Sequence, residues 1–318
     1  MISVSIIGVG ARGGEAYGQY INACKDKYDV VALCDLNEER VKALAEENGV
    51  PYFLNYKDIP ASVECDAVIL NLPHGLHAPA SIFFLEAGIN VLVEKPMANT
   101  VEECDEMNAV AIKSGKKLAI AHVQRYMAVN RKIKEIVDSG ELGKLCMYNE
   151  QRSINYFLPN RSPWFTSKKM AGGGIVMNYG AHAFDRLCYT ASCSPVEVVG
   201  CCDNFINNRD VEGHAQMMAK FDNGISATIT FSGYSTVDYI IYYYFTGGAL
   251  RVNGTSSVEI KREGEKAWTL VEIPAGQEPF ALELNDFHKY IKGEPTEIPD
   301  YEYSRKIIEA IQKGYGEL

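Results

Sequence analysis

The sequence predicts an α/β protein in two parts, a parallel-sheet domain over residues 1–122 and a strand-rich α/β domain over residues 123–318. Three observations carry that expectation. Short apolar runs alternate with amphipathic helical stretches across the first part, the pattern that builds a parallel sheet. Beyond about Arg125 the dominant period falls to two, as in strands with one buried face. A chain of 318 residues also exceeds what one hydrophobic core usually organises.

The strands of the first part are expected at Val4–Ile7, Val30–Cys34, Ala67–Asn71, Asn90–Val93 and Leu118–Ala121. Helices fill the gaps and their ends are readable. Asn37 is placed to cap a helix carrying Val41, Leu44 and Ala45, which stops at Gly49 before Pro51. Thr100 with Glu103 forms a capping box, and Val101, Cys104, Met107 and Ala111 continue one face to Gly115. In the second part a helix ends near Ser139-Gly140, and a long segment from Arg152 to Ala171 reads as a functional loop. A helix follows over Ile175–Thr190. Ile225, Ala227, Ile229 and Phe231 then alternate with Ser and Thr, behind a hairpin turn at Asp222-Asn223-Gly224. The stretch Tyr239–Phe245 is apolar on both faces, so it wants cover on both. Within one small domain a helix layer covers one face, and the other is expected to meet a second subunit in a homodimer or homotetramer.

Composition narrows the classes. A formal net charge of −10 argues against a nucleic-acid surface, which needs a basic face. No apolar run approaches ~18 residues, and the N-terminus runs into a Gly-rich turn without a basic leader, so neither a membrane span nor a signal peptide is expected. Nine scattered cysteines without a C-x-x-C pair read as reduced thiols in a cytoplasmic protein. No metal site is expected: His74 and His77 are three apart, but no third ligand accompanies them.

The first chemical motif is Gly8-Val9-Gly10-Ala11-Arg12-Gly13, directly after the first strand. Glycines at this spacing allow a tight turn, close approach of a pyrophosphate and close helix packing, with the phosphates at the positive end of a helix. Asp35 ends the second strand, where a carboxylate accepts from the adenosine ribose hydroxyls. It also reads as a turn residue before Asn37. A carboxylate there repels a 2′-phosphate, so NAD is expected over NADP, and Arg40 nearby acts the other way wherever it points inward.

Three further motifs continue the pattern. Asn71-Leu72-Pro73-His74-Gly75-Leu76-His77 closes one strand, Val91-Leu92-Val93-Glu94-Lys95-Pro96 closes the next, and Gly172-Gly173-Gly174 precedes Asn178-Tyr179-Gly180-Ala181-His182 with Asp185 one turn later. Together with the glycine turn, these resemble the glucose–fructose oxidoreductase / inositol dehydrogenase / rhizopine-catabolism (Gfo/Idh/MocA) family. The likeness spans both domains, and Glu94-Lys95-Pro96 after an apolar strand is its most specific element. It implies a Rossmann domain followed by an α/β domain with a large open, mainly antiparallel sheet, and an active site between them at the nicotinamide ring. It implies Lys95 as the catalytic lysine, aimed by Pro96 across a bond that is sometimes cis, and His182 as the acid/base. Gly8, Gly10, Ala11, Arg12, Gly13, Asp35, Asn71, Pro73, His77, Glu94 and Lys95 would surround the cofactor, with His77 lining the nicotinamide pocket. Tyr156, Arg161, Trp164 and Lys168 on the long loop, with Asn178 and Arg125, would meet a carbohydrate-like substrate. His122 is a weaker neighbour of the site.

The residues support these roles chemically. Hydride leaves a carbinol only as its proton is taken, and an ammonium stabilises the developing alkoxide. An imidazole suits proton transfer at cellular pH. Read alone, Lys95 is also a solvated strand-end lysine, His182 a buried core histidine, and Arg125 a substrate contact or a bridge between domains. Asn178 departs from the family, which often has aspartate there; it hydrogen-bonds a hydroxyl but accepts no proton. The function expected is hydride transfer between NAD and a hydroxyl carbon of a sugar, polyol or sugar derivative. Its rivals are a redox-neutral enzyme that uses NAD transiently, as in glycoside cleavage, and a non-catalytic nucleotide-binding sensor.

Overall fold

A computed structural model describes residues 1–10, 24–206 and 209–316. It divides into two compact units, Met1–Val123 with Gln277–Arg305, and Gln124–Gly276 with Lys306–Leu318.

The first unit is a parallel sheet with helical connections. Its elements in chain order are β1 (Ile2–Ile7), β2 (Tyr28–Cys34), α1 (Glu38–Asn48), β3 (Tyr52–Phe53), α2 (Ile59–Ser62), β4 (Ala67–Leu70), α3 (His77–Glu86), β5 (Asn90–Glu94), α4 (Val101–Ser114) and β6 (Leu118–Ala121). The spatial order is β3-β2-β1-β4-β5-β6, every pair parallel. Every residue of β4 and β5 is buried, as a sheet covered on both faces requires. The caps are those expected. Asn37 Oδ1 accepts from Arg40 N–H, Thr100 Oγ1 accepts from Glu103 N–H, and Gly49 and Gly115 close their helices in the left-handed region.

The second unit begins with α5 (Ala128–Ser139), β7 (Leu145–Ser153), α6 (Lys168–Ala171) and α7 (Ala181–Ala191). The strands β8 (Pro195–Asp203), β9 (His214–Phe221), β10 (Ser226–Ser232), β11 (Tyr239–Phe245), β12 (Gly248–Asn253), β13 (Ser257–Arg262) and β14 (Thr269–Leu270) follow. They form one open eight-stranded sheet, ordered β14-β13-β12-β11-β7-β10-β9-β8. Only β7 and β10 pair in parallel; the other neighbours are antiparallel. The expected turn at Asp222-Asn223-Gly224 joins β9 to β10, with Gly224 N–H donating to Phe221 O.

This sheet has a buried and a bare face. In β11 Ile241, Tyr243 and Phe245 are buried, while Ile240, Tyr242 and Tyr244 stand half-covered on the other side. The register continues that second side through Asn149, Thr228 and Met218 to Val199, the last two 63% and 65% exposed. Apolar side chains thus stand at both ends of this row, on either side of the hydrogen-bonded Asn149 and Thr228, on a face that the described residues leave open at Met218 and Val199.

Two features differ from the sequence reading. The chain after residue 123 does not stay in the second unit, because α8 (Pro279–Lys292) and the segment to Arg305 return to the first. Leu284, Phe287 and Ile298 are buried in one core with Ile2, Val4, Tyr28 and Leu33, and Tyr28 Oη donates to Leu284 O at 2.7 Å. An amphipathic helix announces that it will bury a face, not which core receives it. The expected helix over Ile175–Thr190 opens as a π-turn, Val176–Gly180, before regular α-helix begins at Ala181. Such turns appear mostly as single-turn bulges, frequently at functional sites.

Candidate functional site

In the first unit the candidate residues collect at the carboxyl ends of adjacent strands. Gly8 follows β1, Asp35 follows β2, Asn71 follows β4 and Lys95 follows β5. The strand order reverses between β1 and β4, and open α/β sheets bind ligands outside such a reversal. Gly8 has φ +85°, and a Cβ there would run into the carbonyl of Asn71. The two strand ends therefore close together only with glycine at this position. Ala11, Arg12 and Gly13 lie outside the described residues.

Asp35 is the turn residue read before Asn37, and it is tied to the glycine turn as well. Its Oδ2 accepts from Val9 N–H at 2.9 Å, tying the carboxylate to the glycine turn, and its Oδ1 accepts from Asn37 N–H at 2.8 Å. Arg40 points inward: Nη1 lies 3.8 Å from Asp35 Oδ2, and a Cβ on Gly10 would sit 3.5 Å from it. A carboxylate and a guanidinium thus stand together beside the glycine turn. Both amide atoms of Asn71 are buried without a hydrogen-bond partner among the described residues, an arrangement that wants a polar ligand. The close approach at Gly8, the anchored carboxylate and this amide fit a dinucleotide.

Lys95 is half-buried directly after β5, its N–H 3.2 Å from Glu94 Oε2, and the Lys95–Pro96 bond is cis. His77 opens α3, as expected, but does not line a pocket. It is 0% exposed, with Nδ1 2.8 Å from Pro96 O and Nε2 2.8 Å from Leu72 O. The ring clasps the segments after β4 and β5, and its burial pushes the pKa down to about 4. Its effect on any ligand runs through the loops it holds. His122 is buried at the end of β6, its ring edge-on to Tyr303.

In the second unit the π-turn and α7 carry Asn178 and His182, both buried, with the Tyr179 and His182 rings 6.5 Å apart. Glu212 fixes the entry to this helix. Its Oε2 accepts from Gly174 N–H at 2.7 Å and its Oε1 from Val176 N–H at 2.8 Å, while Tyr315 Oη donates to Oε1 at 3.1 Å. Burial raises the pKa of this carboxyl, against the pull of those N–H groups. The far side of α7 is held by buried charge. Arg186 donates to Glu150 at 2.8 Å and to Gln124 Oε1 at 2.7 Å, and Tyr148 Oη donates to the same Glu150.

Two expected substrate contacts are spent elsewhere. Arg125 donates to Asp185 Oδ1 at 2.6 Å with both side chains buried, so its charge is neutralised within the second unit. Tyr156 is 0% exposed; its hydroxyl bonds the Asn178 side chain and lies 3.4 Å from Phe165 O. It is a floor beneath the loop. Arg161 lies over that floor, 4.0 Å from the Tyr156 ring centre and 4.2 Å from Phe165, and Trp164 stacks on Phe165 at 3.7 Å. Lys168 is exposed at the start of α6, its N–H donating to Asp210. The long segment is therefore braced by its own aromatics and by two short helical turns, Pro163–Thr166 and α6. Sequence reasoning missed Glu212, Glu150, Arg186 and Arg152, since their partners lie tens of residues away. Among the described residues no group of three or more His, Cys, Asp or Glu could hold a metal ion, and no helix is long and apolar enough to cross a membrane.

These two constructions define a two-unit α/β protein whose first unit fits a dinucleotide. A family model described as "Oxidoreductase family, NAD-binding Rossmann fold" matches residues 2–122, and the GFO/IDH/MocA C-terminal domain matches residues 130–257. The chain belongs to the Gfo/Idh/MocA family. It is 31% identical over 215 residues to a 1-carboxy-3-chloro-3,4-dihydroxycyclo hexa-1,5-diene dehydrogenase of Comamonas testosteroni, covering 63% of this chain and 54% of that protein. It is 29% identical over 201 residues to the D-glucoside 3-dehydrogenase of Escherichia coli, covering 62% and 56%. The matches thus span little more than half the length of these curated relatives. Among solved structures, the aldose-aldose oxidoreductase of Caulobacter crescentus superposes with a TM-score of 0.88 at 21% identity, covering 98% of this chain and 95% of the other. Levoglucosan dehydrogenase, in complex with NADH and levoglucosan, gives 0.85 at 18% identity, covering 98% and 95%. At these identities the superpositions establish the fold.

Proposed function

We propose that this protein is an NAD-dependent dehydrogenase that moves hydride between the nicotinamide and a hydroxyl carbon of a sugar, polyol or sugar derivative. The observation that carries the reading is the gathering of Gly8, Asp35, Asn71 and Lys95 at the carboxyl ends of neighbouring strands around the reversal of strand order. A dinucleotide site needs the first three; a lysine beside it is what carbinol chemistry adds. NAD is favoured over NADP because Asp35 is held to the glycine turn by Val9 N–H, where its charge opposes a 2′-phosphate. Of the substrates named for the relatives, the glucoside belongs to the class proposed, and the dihydroxylated cyclohexadiene shares with it only a hydroxyl-bearing ring.

The bound nicotinamide supplies the hydride acceptor or donor. Lys95 holds the substrate oxygen by its ammonium and stabilises negative charge developing there. His182 takes the hydroxyl proton in the oxidative direction and returns it in the reductive one, a task typically contributing about 10²–10⁴ in rate. Asn178 orients a hydroxyl without exchanging a proton. The bare sheet face bearing Tyr242, Tyr244, Met218 and Val199 is proposed to pair with a second copy, giving a homodimer or homotetramer of a cytoplasmic enzyme. The test is absorbance at the NADH band with aldoses, inositols, glycosides and amino sugars. Substrate-dependent, stoichiometric NADH formation supports the reading, and its absence across the panel refutes it.

A further inference from the structure

We infer that the substrate carries a planar or tetrahedral oxyanion, a carboxylate or a phosphate monoester, received by Arg152 and Arg161. This rests on the reading of the second unit as the substrate-binding part. Arg152 leaves β7 with its guanidinium 3.8 Å from the ring centre of Tyr179 and 4.4 Å from that of Tyr239. Arg161 lies 4.0 Å from the Tyr156 ring, and the Tyr156 and Tyr179 rings meet edge-on at 6.2 Å. The two cations thus flank one pair of tyrosines, which also bears Asn178 and neighbours His182.

Stacking occupies the face of a guanidinium and leaves its in-plane N–H groups to find acceptors. Here they are left wanting. Arg152 Nη1 and Arg161 Nε are buried with no hydrogen-bond partner among the described residues, and Arg161 Nη1 reaches only the Tyr156 carbonyl, at 3.1 Å. No carboxylate pairs with either guanidinium among the described residues: Glu150, which shares the surroundings of Tyr239 with Arg152, gives its Oε2 to Arg186 and Tyr148 and keeps Oε1 unpartnered, and Glu212 is taken by Gly174, Val176 and Tyr315. Neither arginine has an ion-pair partner among the described residues. Two partly desolvated guanidiniums without a counter-charge are costly in a protein that binds only neutral sugars. An anionic substituent supplies the missing charge, and a guanidinium edge matches a carboxylate or phosphate in two parallel bonds.

The NAD-loaded protein is titrated calorimetrically with neutral hexoses and polyols, with their uronates and aldonates, and with their monophosphates. NADH formation is followed in parallel. At least one acid is expected to bind about tenfold or more tighter than its neutral parent. Arg161→Gln or Arg152→Gln is expected to weaken that acid by about ten- to a hundredfold, as loss of a charged hydrogen bond does, and to collapse the acid-to-neutral ratio toward one. The carboxylate and phosphate arms tell the two sources apart. Should Arg152→Gln fail to fold, Arg161→Gln, on a loop, decides alone. If no acid binds better than its parent, or the ratio survives both substitutions, the inference is overturned. NADH formation from neutral sugars alone would overturn it and leave the dehydrogenase reading standing. Arginine-dependent acid binding without NADH from any compound would do the reverse.

Discussion

His77 offers a sharp test, because two forces on its ring oppose each other. Both nitrogens lie 2.8 Å from backbone carbonyls, which together favour the doubly protonated ring, while complete burial and the nearby Lys95 favour the neutral one. Burial is the largest influence and sets the pKa near 4, against an ordinary value of 6.5. The unfolded chain then binds the proton that the folded one refuses, so stability falls as pH drops from 6.5 toward 4. At about 1.4 kcal/mol per unit, this amounts to about 2 kcal/mol at pH 5 and about 3 kcal/mol at pH 4. His77→Gln keeps one N–H donor and does not titrate. Urea denaturation of both proteins from pH 7 to pH 4 should show the wild type losing that stability relative to the variant. A constant difference across the range, or a ring that titrates at or above 6.5 by NMR, would show that the two carbonyls win and that the clasp is an imidazolium.

Three other outcomes are expected. Asp35→Ser should weaken NADH about ten- to a hundredfold in a fluorescence titration and narrow its margin over NADPH, while Arg40→Ala should weaken NADPH more than NADH; unchanged ratios remove both residues from cofactor choice. Lys95→Met should abolish substrate-dependent NADH formation while NADH affinity stays within about threefold, and retained turnover would strip the lysine of its chemistry. Glu150→Gln should leave Arg186 buried against a neutral partner and cost about 3–5 kcal/mol in denaturant unfolding, whereas Glu150→Leu with Arg186→Met should cost less than either single change; strict additivity would refute the coupling.

Much of the first unit was legible because its signals are local. Gly8 at the end of β1, Asp35 at the end of β2, the caps at Asn37 and Thr100, and the Lys95–Pro96 element each need only a few adjacent residues. The hairpin at Asp222-Asn223-Gly224 was legible for the same reason. What escaped depends on partners far apart in sequence. Arg125 carries no mark that Asp185 will neutralise it, nor Glu212 that it will fasten Gly174 and Val176. The family resemblance implies that the segment of Tyr156 meets substrate, yet its ring is the surface on which that segment packs, a burial that no neighbouring residue announces. The π-turn was hidden because Asn178 and His182 keep a spacing that an ordinary helix also satisfies. Arg40 could be read pointing either way until its distance from Asp35 was known.

The return of residues 277–305 to the first core also governs how the chain comes into being. Leu284, Phe287 and Ile298 leave the ribosome long after β1 and β2, so the nucleotide half waits, with an apolar flank uncovered, until residues 277–305 have been made. A clone stopped after Gly276 would keep every residue of the parallel sheet yet carry that flank bare. Such a fragment should go to inclusion bodies, and supplying the missing helix in trans should be what rescues it.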